Sequence, residues 1–281
     1  MRSLLSALMA VVSVLPSFAQ RGADTTPPDI LQVYRDTVRP GKIAEYTKIE
    51  GEAAQACSRA NTWPYFTVQA VTGPEEVWFV SGFESYAAME RSAEPFARNV
   101  GLAAEMGRIT EAKTNLVSDP HTLFFRYRDE LGRNNGLVRP GARFFTVTWF
   151  TINPGHEREF EESQRLIRGV RERAGAIDNR VVYQATSGMP GNVYLSFSPY
   201  HTFTEAAEAL ERLLDYDDLD ENVRGRLREL FSTSVASSVT YVFSISPPLS
   251  NPAGEWIAND PEFWRTSPPL QRPRAKETQP K

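Results

Sequence analysis

A chain of 281 residues, 41% hydrophobic and 23% charged, can bury one large core or two ordinary ones, which excludes disorder as its default state. A net charge of −4 excludes the clustered basic surface that nucleic-acid phosphates require, so no nucleic acid is expected as a partner. Cys57 is the single cysteine, so no disulfide forms within one chain.

The chain opens on MRSLLSALMAVVSVLPSFAQ, with Arg2, an apolar run from Leu4 to Leu15, and small residues at Ser17 and Ala19. That order of charge, apolar run and small residues is a secretory signal, residues 1–19, cleaved after Ala19 to give a periplasmic or secreted protein. The run falls short of the roughly 20 apolar residues that a membrane span needs. No later segment is long and apolar enough, so no span is expected in the mature chain.

A first unit, 28–128, begins with the strand pattern ILQVYRDTV and a Pro40–Gly41 turn. An amphipathic helix follows, with the stripe Ile43, Tyr46, Ile49, Ala53, Cys57 and Ala60. Cys57 is therefore read as a small buried hydrophobe. Next come two strand runs, in WPYFTVQAVTG and EVWFVSGF, a helical stretch over 85–109, and the strand HTLFFRYR. Glycines, a proline and charges without apolar period mark 129–143 as a linker.

A second unit, 144–246, repeats the plan. Pro154 and Gly155 lie 114 positions after Pro40 and Gly41, and the same shift sets Phe160 on Tyr46, Ile167 on Ala53 and Val170 on Ala56. Strands in RFFTVTWFTI, RVVYQATSG, NVYLSFSPY and VTYVFSIS surround an amphipathic helix entered through Pro154–Gly155 and reaching Ala174, and helices in 202–214 and 220–234. Asp218 or Asp220 is placed to cap the last of these helices. The Pro-rich tail, 247–281, speaks against regular helix, although Trp256, Phe263 and Trp264 point to packing.

Each half reads strand, helix, strand, strand, helix, strand, the ferredoxin-like split βαβ order. The expected fold class is α+β, with two tandem ferredoxin-like (βαββαβ) units packed sheet to sheet. Strands apolar on both faces, such as FFTVTWF and PYFTV, call for a cover on the face that helices leave bare.

This element order, with its repeated strand, Pro-Gly turn and amphipathic helix, resembles the dimeric α+β barrel superfamily over about residues 28–247, especially its NIPSNAP-like and antibiotic-biosynthesis-monooxygenase-like branches. The resemblance implies a barrel formed within one chain and a cavity between its sheets. It carries no single reaction, because members include cofactor-free oxygenases, haem-handling enzymes and proteins without known chemistry.

Strand alternation gives the candidate site. Leu31 and Val33 are expected to face the helices, leaving Gln32, Tyr34 and Asp36 toward the cavity. Arg126 and Arg128, Tyr65, Thr67 and Gln69, and Thr146 and Thr148 would extend that lining. An aromatic wall with few polar groups suits a small aromatic or hydrophobic molecule. Trp78, Trp149 and Tyr183 read as core. His121 precedes the strand beside the first one, near Asp36, where a carboxylate could orient an imidazole base.

The assigned catalytic set is Tyr34, His121 and Arg126; the ligand-binding set is Gln32, Asp36, Tyr65, Thr67, Gln69, Arg128, Thr146 and Thr148. No metal motif, nucleophile elbow or dinucleotide fingerprint occurs, and no cofactor is assigned. The leading function is small-molecule binding with cofactor-independent oxygenation. The alternatives are a non-enzymatic structural or interaction protein with a filled barrel, and haem or tetrapyrrole handling. A homodimer is allowed.

Overall fold

Strands form where β-branched and aromatic residues cluster: β1 Ile30–Thr37, β2 Phe66–Ala70, β3 Glu76–Phe83, β4 His121–Tyr127, β5 Phe144–Ile152, β6 Val181–Ser187, β7 Val193–Tyr200 and β8 Val235–Ile245. The helices are α1 Ile43–Arg59, α2 Tyr86–Ser92, α3 Glu94–Arg98, α4 Val100–Lys113, α5 Glu157–Arg173, α6 Phe203–Leu213, α7 Glu221–Ser234, α8 Gly254–Asn259 and α9 Pro261–Thr266. The computed structural model describes residues 26–132, 140–173, 180–213 and 219–266. The leader 1–19, Asp218, residues 133–139 of the linker and 267–281 of the tail lie outside them.

The helical stretch over 85–109 is broken into three helices. Pro95 cannot donate to the preceding turn and instead sits in the first turn of α3, while Asn99 Oδ1 accepts from Leu102 N (3.0 Å) and starts α4. Asp220 caps α7 by accepting from Asn222 N at 2.9 Å. The tail also departs from expectation, since Pro247–Leu249 forms a 3-10 turn and α8 and α9 are short regular helices. Pro261 is tolerated because it is the first residue of α9, where an N–H has no partner in the helix.

All pairings are antiparallel, and the order β1-β3-β2-β8-β5-β7-β6-β4 closes on itself as an eight-stranded barrel. The first four strands lie as β4-β1-β3-β2 and the last four as β8-β5-β7-β6. Closure comes from β2 on β8 (Val68 opposite Ile245) and β4 on β6 (Tyr127 opposite Tyr183). The two Pro-Gly turns behave alike: Gly41 and Gly155 have φ of 75° and 85°, with open space where a Cβ would stand. Glycine is needed there for backbone freedom, not for room.

The inside is dry. Leu31, Val33, Trp78, Phe125, Phe145, Tyr183, Phe197 and Phe243 are all buried in one cluster, with Trp78 and Phe243 ring centroids 4.6 Å apart and Phe66 stacked on Phe145 at 5.7 Å. At one end, α8 and α9 close the barrel. Trp256 meets Phe66 edge-on at 6.0 Å, Phe263 and Trp264 join the core, and Arg143 binds Asp260 (2.7 Å) while lying 3.8 Å over the Phe263 ring. At the other end, Glu76 accepts from Trp78 Nε1 (2.9 Å) and pairs with Arg35, whose guanidinium lies 5.8 Å from Trp149. Outside, α1 and α4 pack together over the first half, and α5 and α7 over the second.

Phe243 touches rings from both halves of the barrel. Truncating it to Ala should cost about 3–5 kcal/mol. Denaturant unfolding that shows a loss below about 1 kcal/mol would mean that this interior is loosely packed.

Candidate functional site

Between the outer face of β1 and β3 and the helices α1 and α4 lies a buried group of charges. Asp36 is fully buried, and its Oδ2 accepts from Tyr46 Oη (2.7 Å) and from Lys113 Nζ (3.2 Å). Its Oδ1 makes no hydrogen bond among the described residues. Lys113 also donates to Glu50 Oε1 at 2.8 Å, so one ammonium serves two carboxylates. Buried charges need partners, and here the count leaves one carboxylate in excess.

Tyr34 connects this group to the outside. Its ring lies 4.7 Å from Lys113 Nζ and 6.1 Å from Phe79, which in turn meets Tyr65 at 5.9 Å. Tyr34, Phe79 and Tyr65 are half-buried, whereas Lys113 keeps only 11% of its side chain exposed. The result is an aromatic patch with an ammonium and two carboxylates behind it.

The environment tunes these groups. Burial pushes the Glu50 carboxyl above its ordinary value of 4.5, against the pull of Lys113. Burial lowers the Lys113 pKa, but Glu50 and Asp36 outweigh it and hold the ammonium charged well past its ordinary range. Burial also raises the Tyr34 phenol, with Lys113 drawing it back in part. Tyr46 is pushed far up by burial and by Glu50 and Asp36, so it acts here as a hydrogen-bond donor.

The second half supplies a comparison within the same chain. The shift of 114 that aligns the Pro-Gly turns carries Asp36 to Phe150, Tyr46 to Phe160 and Glu50 to Gln164. Phe150 and Phe160 stand 5.2 Å apart, Phe160 and Tyr194 4.7 Å apart, and Phe231 of α7 packs on the same cluster. At these positions the second half closes without a buried carboxylate, and Gln164 Oε1 accepts from the buried Arg180.

The faces of the strands are the reverse of the sequence expectation. Leu31 and Val33 point into the barrel, and Gln32, Tyr34 and Asp36 point toward α1 and α4. The cause is closure: the barrel interior is the driest space and takes branched and aromatic residues, while polar groups lie where the helices offer Tyr46 and Lys113. β4 follows the same rule, with Leu123, Phe125 and Tyr127 inward and Arg126 exposed outside. The chamber expected between the sheets is filled by aromatic rings.

Of the assigned residues, Tyr34, Asp36 and Tyr65 gather in this region, and Gln32 lies two residues along the same strand face. His121 stands opposite Arg35, not Asp36, and binds Asp119 at 2.9 Å on the exposed rim. Arg126 pairs in register with Ile30, at the far end of β1 from His121, so the three catalytic assignments do not meet. Arg128 clasps Glu130 and Glu161. Thr67 donates to the Leu249 carbonyl (2.7 Å), Gln69 pairs with Val77 and Ser244, Thr148 bonds Thr240 (2.9 Å), and Thr146 lies between β7 and β8.

Missed were Glu50 and Lys113. Both fall on helical stripes that are otherwise apolar, Tyr46–Glu50–Ala53 in α1 and Leu102–Ile109–Lys113 in α4, and a charge in such a stripe was the available signal.

A haem-type group asks for a ligand side chain aimed into a covered face. His121 is held by Asp119, His156 lies 3.4 Å from Glu159, and His201 Nδ1 bonds the Gly141 carbonyl at 2.9 Å. None of the three enters the covered faces, so these histidines do not fit such a group. Among the described residues, no group of three or more His, Cys, Asp or Glu is arranged to hold a metal, and no helix is long and apolar enough to cross a membrane.

No protein-family model and no curated protein matches the sequence. Solved structures do resemble it in fold. A provisionally assigned monooxygenase from Fusobacterium nucleatum superposes with a TM-score of 0.50 at 12% identity, over 78% of this chain and 93% of that one. An anthrone oxidase-like protein gives 0.46 at 17% identity, over 78% and 92%. A mutant chlorite dismutase from Candidatus Nitrospira defluvii gives 0.49 at 10% identity, over 82% and 96%. The closed eight-stranded barrel has the dimeric α+β barrel fold; the likeness extends no further than the fold.

Lys113→Met should destabilise the protein by about 3–5 kcal/mol, because it strands two buried carboxylates. The combined Asp36→Leu, Glu50→Gln, Lys113→Met variant should be more stable than Lys113→Met alone in denaturant unfolding, since the second half seats Phe150 and Phe160 in the places of Asp36 and Tyr46.

The raised Glu50 pKa also sets a pH dependence. The folded state keeps this proton to higher pH than the unfolded chain, so the contribution is complete below 4.5 and lost as pH rises through the folded value. Wild-type unfolding free energy should therefore fall relative to Glu50→Gln as pH rises from 4.5 through the folded value. Parallel curves from about pH 4 to 8 would show that Glu50 does not titrate there.

Proposed function

We propose that this protein binds a small aromatic or hydrophobic molecule against the Tyr34–Phe79–Tyr65 patch and acts on it as a cofactor-independent oxygenase. The observation that carries this reading is the buried Asp36–Lys113–Glu50 group behind a half-exposed Tyr34, in one half of a chain whose other half closes with Phe150 and Phe160 instead. Buried carboxylates, which the second half lacks among the described residues, are candidates for chemistry.

Such a reaction starts with loss of a proton from an acidic C–H of the substrate. Tyr34 stands between the patch and the carboxylates and passes the proton inward, and Glu50, with its raised pKa, is suited to keep it. Lys113 places a fixed positive charge beside the developing anion. The carbanion then gives its electrons to dioxygen. For a methylene carbon, addition of O2 and loss of water leave a ketone, with one oxygen atom in the product and one in water.

Two further readings belong with this proposal. Residues 28–128 and 144–246 are two ferredoxin-like units derived from one by duplication, supported by the repeated strand order and the two Pro-Gly turns. The protein is exported, supported by the charge, apolar run and small residues of 1–19. A non-enzymatic interaction protein is the competing reading, and the filled barrel interior favours it over any ligand between the sheets.

Anthrone, a polycyclic ketone with an acidic methylene, is a suitable probe. The protein should consume one O2 per ketone formed, and Tyr34→Phe should slow this by about 10²-fold while leaving the unfolding midpoint near wild type. Absence of both oxygen uptake and binding across a set of anthrones and polycyclic phenols would favour the non-enzymatic reading.

A further inference from the structure

β8 runs for 11 residues, and β5 pairs with it from Val235 to Ser244. On its other side β2 reaches only Phe243–Ile245, and Val71 and Thr72 then bond Val242. Among the described residues, no strand pairs with that side over Val235–Thr240. The direction of the backbone groups follows from their bonds. Val242 and Ser246 turn toward the β2 side, whereas Ile245 N donates to the Arg143 carbonyl on the β5 side. The two-residue period then directs the N–H and C=O of Ser238 and Thr240 to the open edge.

Open strand edges are normally guarded by charge, proline or a covering element. This one reads VASSVT, without charge or proline, and Ala236–Val239 are exposed, Val239 by 44%. β4 sits beside β1 as β8 sits beside β5, yet it has only 7 residues and begins at His121 against Asp119. The additional length of β8 has no partner strand inside the described chain except β5.

We propose that a second copy of this chain covers it, with the two β8 edges pairing antiparallel about a twofold axis so that one barrel wall continues into the other. A neutral edge of small side chains is complementary to itself: two copies meet without like-charge repulsion, and an isologous contact needs no second surface. The side chains of Val235–Thr240 carry no charge to select a charged peptide.

Light scattering coupled to size exclusion tests this. The wild-type chain should be a dimer, and Ser238→Pro should be monomeric, since proline removes an N–H aimed at the open edge and spares the β5–β8 ladder. Val239→Lys is the second variant, setting two like charges at the paired edge, and it decides the matter if the circular dichroism of Ser238→Pro shows misfolding. A wild-type monomer, or a dimer that survives Val239→Lys with its fold intact, overturns the proposal.

Discussion

Hydrogen bonding of β2 to β8 and of β4 to β6 turns two four-strand arrays into one closed wall, and the distribution of every other residue answers to that closure. Once the wall is shut, its interior offers few partners to a polar side chain. Leu31, Val33, Trp78, Phe145 and Phe243 fill it, Arg35 and Glu76 pair with each other at one end, and Gln32, Tyr34 and Asp36 of the same wall lie outward. Partners wait there: Tyr46 and Lys113 under α1 and α4, and Leu249 and Ser250 of the tail for Thr67.

Strand positions were largely legible, because β-branched and aromatic runs bounded by glycine and proline have few other uses. EVWFVSGF, for instance, coincides with β3, and the Pro-Gly turns announced both α1 and α5. Which face of a strand looks inward was not legible. Alternation separates Leu31 and Val33 from Tyr34 and Asp36, but both sides of a barrel wall are covered, so period two alone names no interior. Site assignments inherited that reversal, and still Tyr34, Asp36 and Tyr65 come together, now against the helices. Lys113 could be placed only in three dimensions, since 77 residues of chain separate it from Asp36.

Replacing a buried ion group by packed apolar residues is often neutral or favourable for stability, and the second half of this chain carries Phe150 and Phe160 in the places of Asp36 and Tyr46. Gln164 stands where Glu50 stands and accepts from the buried Arg180, so each half buries a cation but, among the described residues, only the first buries carboxylates. Stability alone therefore gives no reason for those carboxylates. The members of the charged group also differ in exposure in a useful way, from a sealed Asp36 to a half-open Tyr34, which is the gradient that proton movement to and from a surface-bound molecule requires.

Trp264 completes a core whose first contributor is Leu31, so the two ends of the hydrophobic assembly are separated by nearly the whole described chain. During synthesis the earliest strands emerge long before the rings that will cover them. A core assembled from partners so far apart in sequence closes late, and contacts of such long range slow folding and leave apolar strand faces uncovered meanwhile.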